Sequence, residues 1–192
     1  CDVSKKERDS DTMFFARMEA PQPLLPRVAI SLNKYDTIRL IDAPSELQHT
    51  VQQAVRDAWK RSIQKIETYY GAMSLKLAGN PWWANGTEAV ESRVLMCHVL
   101  AEMARCGWSL ELTADLSRKD SDKASFFFVQ TSSPIPAASW GEAARPWCIS
   151  FNETDRVRLM NAPPDMLTHL EAAICCGWPR GVQDRREYLL RF

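Results

Sequence analysis

The side chains best suited to binding or reaction fall into three groups. The first is Trp59, Arg61, Gln64 and Tyr69, which follow a stretch of helical periodicity. A guanidinium presents five donors in a rigid fork that fits carboxylate, phosphate or backbone carbonyls. Gln adds a neutral donor and acceptor. The same four residue types return 119 positions later as Trp178, Arg180, Gln183 and Tyr188. Core packing explains a repeated Trp. A repeated Arg and Gln fit a ligand or peptide contact, or side chains that tie down a loop with no ladder of its own.

The second group is Asn80-Pro81-Trp82-Trp83-Ala84-Asn85-Gly86. Adjacent indoles suit a binding face, since Trp is enriched at interaction hot spots. A helix start just behind them offers backbone donors to an anion. The plainer alternative is that one Trp plugs the core and the other covers its rim. The third group is the turn holding Asp115, Asp120 and Asp122, resembled by Asp2, Asp9 and Asp11. Carboxylates there could face a hard cation. Arg118, Lys119 and Lys123 oppose that, and a solvated hairpin turn explains the same residues.

Nothing in the chain assembles a catalytic constellation. His49, His98 and His169 are scattered, and Cys97 and His98, as helical neighbours, point about 100° apart. There is no nucleophile elbow, P-loop or dinucleotide fingerprint, and only seven glycines. None of the six cysteines forms a C-x-x-C or pairs with His at zinc spacing. The expectation is no catalytic residue, no metal and no cofactor.

Composition narrows the classes further. With 24 basic and 24 acidic side chains the formal net charge is zero, which disfavours nucleic acid as a partner. No apolar run approaches the ~18 residues of a membrane span. Several cysteines occupy apolar positions, as in reduced cores, so a cytoplasmic or nuclear setting is expected. Two Asn-x-Thr triplets, at Asn85 and Asn152, count mildly against it.

The elements that must position these residues are written as a repeat. Ile30-Ser31-Leu32-Asn33 aligns without a gap on Ile149-Ser150-Phe151-Asn152. Ile38-Arg39-Leu40-Ile41 then meets Val157-Arg158-Leu159-Met160, and Asp42-Ala43-Pro44 meets Asn161-Ala162-Pro163. Polar and apolar types stay in register over some forty residues, which chance does not sustain. A weaker match sets residues 2–15 beside residues 115–127.

Within the repeat, Arg27 to Leu32 and Thr37 to Ile41 read as a hairpin. Leu47, Val51, Ala54, Val55, Ala58 and Trp59 recur as one helical stripe, repeated as Met166, Leu170, Ala173, Ile174, Gly177 and Trp178. Ala72 to Leu77 alternates as a strand. Asn85 and Glu88 resemble a capping box for a helix with the stripe Val90, Val94, Cys97, Leu100 and Ala104. Ser109 to Leu116 and Ser125 to Val129 complete the order β-β-α-β-α-β-β.

The expected fold is therefore an α/β (α+β) tandem repeat: a two-layer sandwich with two helices packed on one face of a five-stranded mixed sheet. Residues 27–130 form a complete unit. Residues 1–20 plus 147–192 form a partial second unit, either pieces of a longer repeat protein or the halves of one split domain. The proline-rich stretches 21–26 and 131–146 are linkers. The functional expectation is a non-enzymatic protein-interaction or self-assembly module, with a protein partner or a second copy bound. Contacts are sought at Trp59, Arg61, Gln64, Trp82, Trp83, Trp178, Arg180 and Gln183. The alternative is a small-ligand-binding protein or enzyme with a cleft between the two units, using Arg61 and Arg180.

Overall fold

A computed structural model describes residues 25–115, 123–131, 146–152 and 155–186. The paired acidic turns, apart from Asp115, and Tyr188 lie outside the described residues.

The chain opens with a hairpin, β1 (Arg27–Asn33) and β2 (Thr37–Ile41), in the register Ile30↔Leu40 and Leu32↔Ile38. Because side chains alternate along a strand, those four apolar residues share one face and are buried there. Asp42 then adopts a left-handed backbone, φ 57°, which turns the chain off the sheet. Helix α1 (Ser45–Ala58) follows, and its stripe Leu47, Val51, Ala54 and Val55 lies on the same face.

The segment after α1, whose residues show no strand pattern, is nevertheless a strand. β3 (Ile63–Tyr69) pairs with β4 (Ala72–Leu77) across a tight turn at Tyr70 and Gly71, both left-handed. β3 is an edge strand, with every residue but Ile63 exposed, so it carries no alternating apolar signal. Its presence changes the sheet. β3 reverses the chain before β4, so β4 runs antiparallel to β2 instead of parallel. With β5 (Trp108–Ala114) and β6 (Ser125–Gln130) the order is β3-β4-β2-β1-β6-β5, six strands antiparallel throughout, in place of five in a mixed sheet.

Helix α2 (Gly86–Arg105) lies beside α1 on the same face of the sheet. One core runs between the layers, from Val28, Ile38 and Leu75 on strands to Val51, Val55, Leu95, Val99 and Met103 on helices. The stripe of α2 that meets the sheet is Leu95, Val99 and Met103, not the Val90–Val94–Cys97 row expected from periodicity. Nor does Asn85 cap the helix with its side chain. Glu88 turns back instead to accept the Asn80 amide at 3.0 Å. A Cβ on Gly79, at φ 86°, would collide with that carboxylate. Gly79→Ala is expected to cost about 1–2 kcal/mol from backbone handedness alone. Urea unfolding would show it as a lower midpoint at unchanged slope.

After this sandwich come β7 (Cys148–Asn152), β8 (Arg156–Met160) and α3 (Met166–Gly177). β7 and β8 pair with each other in a separate two-stranded sheet. The residues left over on α2 hold this hairpin: Val90 and Val94 pack against Met160 and Cys148.

Candidate interaction surface

Trp59 ends α1 and is almost wholly buried, with its indole Nε1 donating to the Ala78 carbonyl at 2.9 Å. Arg61, half-exposed, crosses to the start of α2. Its Nη1 lies 3.2 Å from Glu88 Oε1 and 2.9 Å from Glu91 Oε2, and its guanidinium sits 5.3 Å from the Trp59 ring centre. These contacts tie the start of β3 to the first turns of α2. Gln64 sits exposed on β3. Of this trio, the structure gathers Trp59 and Arg61 into a structural clamp.

The two adjacent indoles part company. Trp82 leans on the core, and its Nε1 donates to the Thr37 carbonyl at 3.1 Å. Its backbone amide donates to the Tyr35 carbonyl at 3.0 Å, so the loop seals the tip of the β1–β2 hairpin. Trp83 is exposed, edge-on to Tyr35 with ring centres 5.5 Å apart and the Lys123 ammonium 5.1 Å from its own. Trp178, Arg180 and Gln183 all lie in solvent beyond α3.

The two halves of the chain coincide in detail. Every pairing of β7 with β8, from Cys148↔Met160 to Asn152↔Arg156, sits 119 positions after a pairing of β1 with β2, from Ala29↔Ile41 to Asn33↔Thr37. Asn33 Nδ2 donates to Ser31 Oγ at 3.2 Å, and Asn152 Nδ2 to Ser150 Oγ at 3.0 Å. Asp42 and Asn161 share the left-handed turn, at φ 57° and 55°. Trp59 and Trp178 close their helices through amides bonded to Val55 and Ile174. Even the buried, unpaired guanidinium Nε recurs, at Arg39 and Arg158.

Their surroundings differ completely. Ile30, Leu32, Ile38 and Trp59 are 1%, 7%, 0% and 1% exposed, while Ile149, Phe151, Val157 and Trp178 are 36%, 72%, 37% and 59% exposed. In the first half, α1 and α2 cover that face, and β4 and β6 extend the sheet on either side. In the second, the counterpart helix α3 has no buried residue. Ile149 and Phe151 alternate along β7 and Phe151 pairs with Val157, so these exposed apolar side chains share one face of the hairpin. Sequence matching flagged Trp178 but missed Ile149, Phe151 and Val157. Their signal was present: they align with core positions of the first half.

The opposite face of the second hairpin is the one resting on α2. Arg93 enters this contact, and burial draws its guanidinium below the ordinary value, with the Arg158 charge nearby acting in the same direction. Burial pushes the Cys97 thiol up to about 12, helped by Cys148. Cys175 and Cys176 are exposed and Cys97 is buried, so a thiol-reactive probe is expected to label the first two early and Cys97 last. Raising the pKa from 9.0 to about 12 in the folded state favours the neutral thiol there. That contribution is complete below pH ~9 and lost as pH rises toward ~12. Urea titrations at pH 8 and 10.5 are expected to show a smaller alkaline loss for Cys97→Ala than for the wild type.

Among the described residues, no three His, Cys, Asp or Glu side chains group as metal ligands, and no helix is long and apolar enough to cross a membrane. No curated protein matches the chain. Its structure is similar to the crystal structure of a conserved kinetoplastid-specific protein from Trypanosoma cruzi, at TM-score 0.42 and 13% identity, over 55% of this chain and 97% of that one. A domain-family model matches residues 26–129 and 145–191, most of the chain. The chain thus belongs to the family which that domain defines.

Proposed function

We propose that this chain is a non-enzymatic interaction module that self-associates through duplicated α/β units. The observation that carries the reading is the fate of one set of positions: sealed in the first half, open in the second. Ile149, Phe151, Val157 and Trp178 hold the positions that are buried in the first half, and stand exposed. Burying such side chains stabilises by about 1.5–3 kcal/mol each, which favours a partner that covers them. Matching register, turns and caps at one constant offset support duplication as the origin of both halves. A cleft worked by Arg61 and Arg180 has no comparable support, since Glu88 and Glu91 already engage Arg61.

Sedimentation equilibrium from low micromolar to near-millimolar chain tests the reading. The wild-type mass is expected to rise with concentration. Phe151→Asp combined with Val157→Asp should hold it at the monomer value without lowering the main melting transition. A wild-type chain that stays monomeric over the whole range defeats the proposal.

A further inference from the structure

The six-stranded sheet has two faces, and both helices of the first half cover the same one. Across the other runs a transverse apolar row. Ala29 pairs with Ile41 on one side and Phe127 on the other, and Phe127 with Leu112. Leu40↔Met73 brings Ala72 beside Ile41, and Ala72 pairs with Tyr69. The row therefore reads Tyr69, Ala72, Ile41, Ala29, Phe127, Leu112, one residue from each strand. Tyr69, Ile41 and Leu112 in it are 46%, 38% and 39% exposed, the small Ala29 between them is 9% exposed, and α1 and α2 both pack on the other face.

The second hairpin shows what this kind of face accepts. Ala29 and Ile41 correspond, at the 119-residue offset, to Cys148 and Met160. Those two rest on α2 through Val90 and Val94. Met160 is 6% exposed in that contact, whereas Ile41, its counterpart, is 38% exposed. Arg158, beside the contact, corresponds to Arg39, whose guanidinium lies 4.2 Å from the Tyr69 ring centre on the open face.

We infer that the open face of the six-stranded sheet is a docking surface for a helix of the α2 kind, carrying the Val90–Val94 row and presented by another unit of this fold. The α2 of this chain already spends that row on its own second hairpin, so the helix comes from a unit in which the row is bare. The contact joins the helix layer of one unit to the sheet layer of the next. It is head-to-tail, so it propagates along successive units instead of closing as a twofold pair. It uses a different half of the chain and a different face from the self-association proposed above, and it stands without that proposal.

The test is fluorescence anisotropy of a labelled, end-blocked peptide with the sequence of residues 86–105, titrated under reducing conditions with the full-length chain. Saturable binding is expected. Ile41→Asp in the chain should weaken it tenfold or more. Leu112→Asp, on the edge strand, should weaken it similarly without touching the β1–β2 hairpin. A peptide carrying Val90→Asp and Val94→Asp should not bind. Phe151→Asp in the chain should leave binding unchanged, which separates this surface from the inner face of the second half. Absence of binding up to the solubility limit overturns the inference. So does wild-type binding strength in both sheet variants, or loss of binding with Phe151→Asp.

Discussion

Trp59→Ala is expected to cost about 3–5 kcal/mol of stability, and Trp178→Ala less than about 0.5 kcal/mol, although both residues close a helix in the same way. Trp59 fills the core between α1 and the sheet and satisfies the Ala78 carbonyl. Removing it leaves a cavity and an acceptor without its donor. Trp178 is 59% exposed, so truncating it opens no cavity. Domains of this kind hold roughly 5–15 kcal/mol in total, so the first substitution removes a large share. Urea unfolding of both variants at low chain concentration, where association is absent, measures the contrast. Comparable losses at the two sites would mean that the second Trp is enclosed as the first is, and the unequal partnering of the two halves would be wrong.

Met160→Lys is expected to release the second hairpin from α2 while the six-stranded unit stays folded. Met160 meets Val90 and Val94, with Arg93 and Arg158 nearby. A lysine there adds a third cation beside two guanidinium groups, in a site with little access to water. The docking rests on a few apolar side chains at about 1.5–3 kcal/mol each, too little to hold an unpaired buried charge. The readout is thiol chemistry. Cys148 and Cys97 should react with a small alkylating agent at least tenfold faster, while Cys175 and Cys176 keep their rates. The main melting transition should hardly move, since the sandwich core contains no residue of β7, β8 or α3. Met160→Leu should keep the thiols protected. If Met160→Lys lowers the main transition as much as Trp59→Ala, the halves form one cooperative core and the interface is misassigned.

Much of the architecture is legible in the residues. Alternation in Arg27–Asn33 and Thr37–Ile41, and the stripe from Leu47 to Trp59, place β1, β2 and α1 directly, because one apolar face per element leaves one way to bury it. β3 is illegible for the converse reason. An edge strand in solvent needs only its backbone ladder with β4, and a ladder leaves no pattern in side chains. The antiparallel sheet follows from that hidden strand. Helix α2 misleads in a third way. It carries two apolar rows about 160° apart, on nearly opposite sides, and periodicity does not tell which one meets the sheet.

By itself, then, the order of residues determined the local elements: hairpin, turn, amphipathic helix and closing Trp, with the two hairpins sharing one strand register at a 119-residue offset. Such features are local, set by alternation, helical spacing and turn stereochemistry. Only the tertiary structure decided that Ile30 and Trp59 are enclosed while Ile149 and Trp178 are exposed, that Val90 and Val94 serve the second hairpin, and that α1 and α2 both pack on the face opposite the one bearing Ile41. Burial belongs to the neighbours a residue acquires. Two stretches with the same pattern can share a shape and still differ in what covers them.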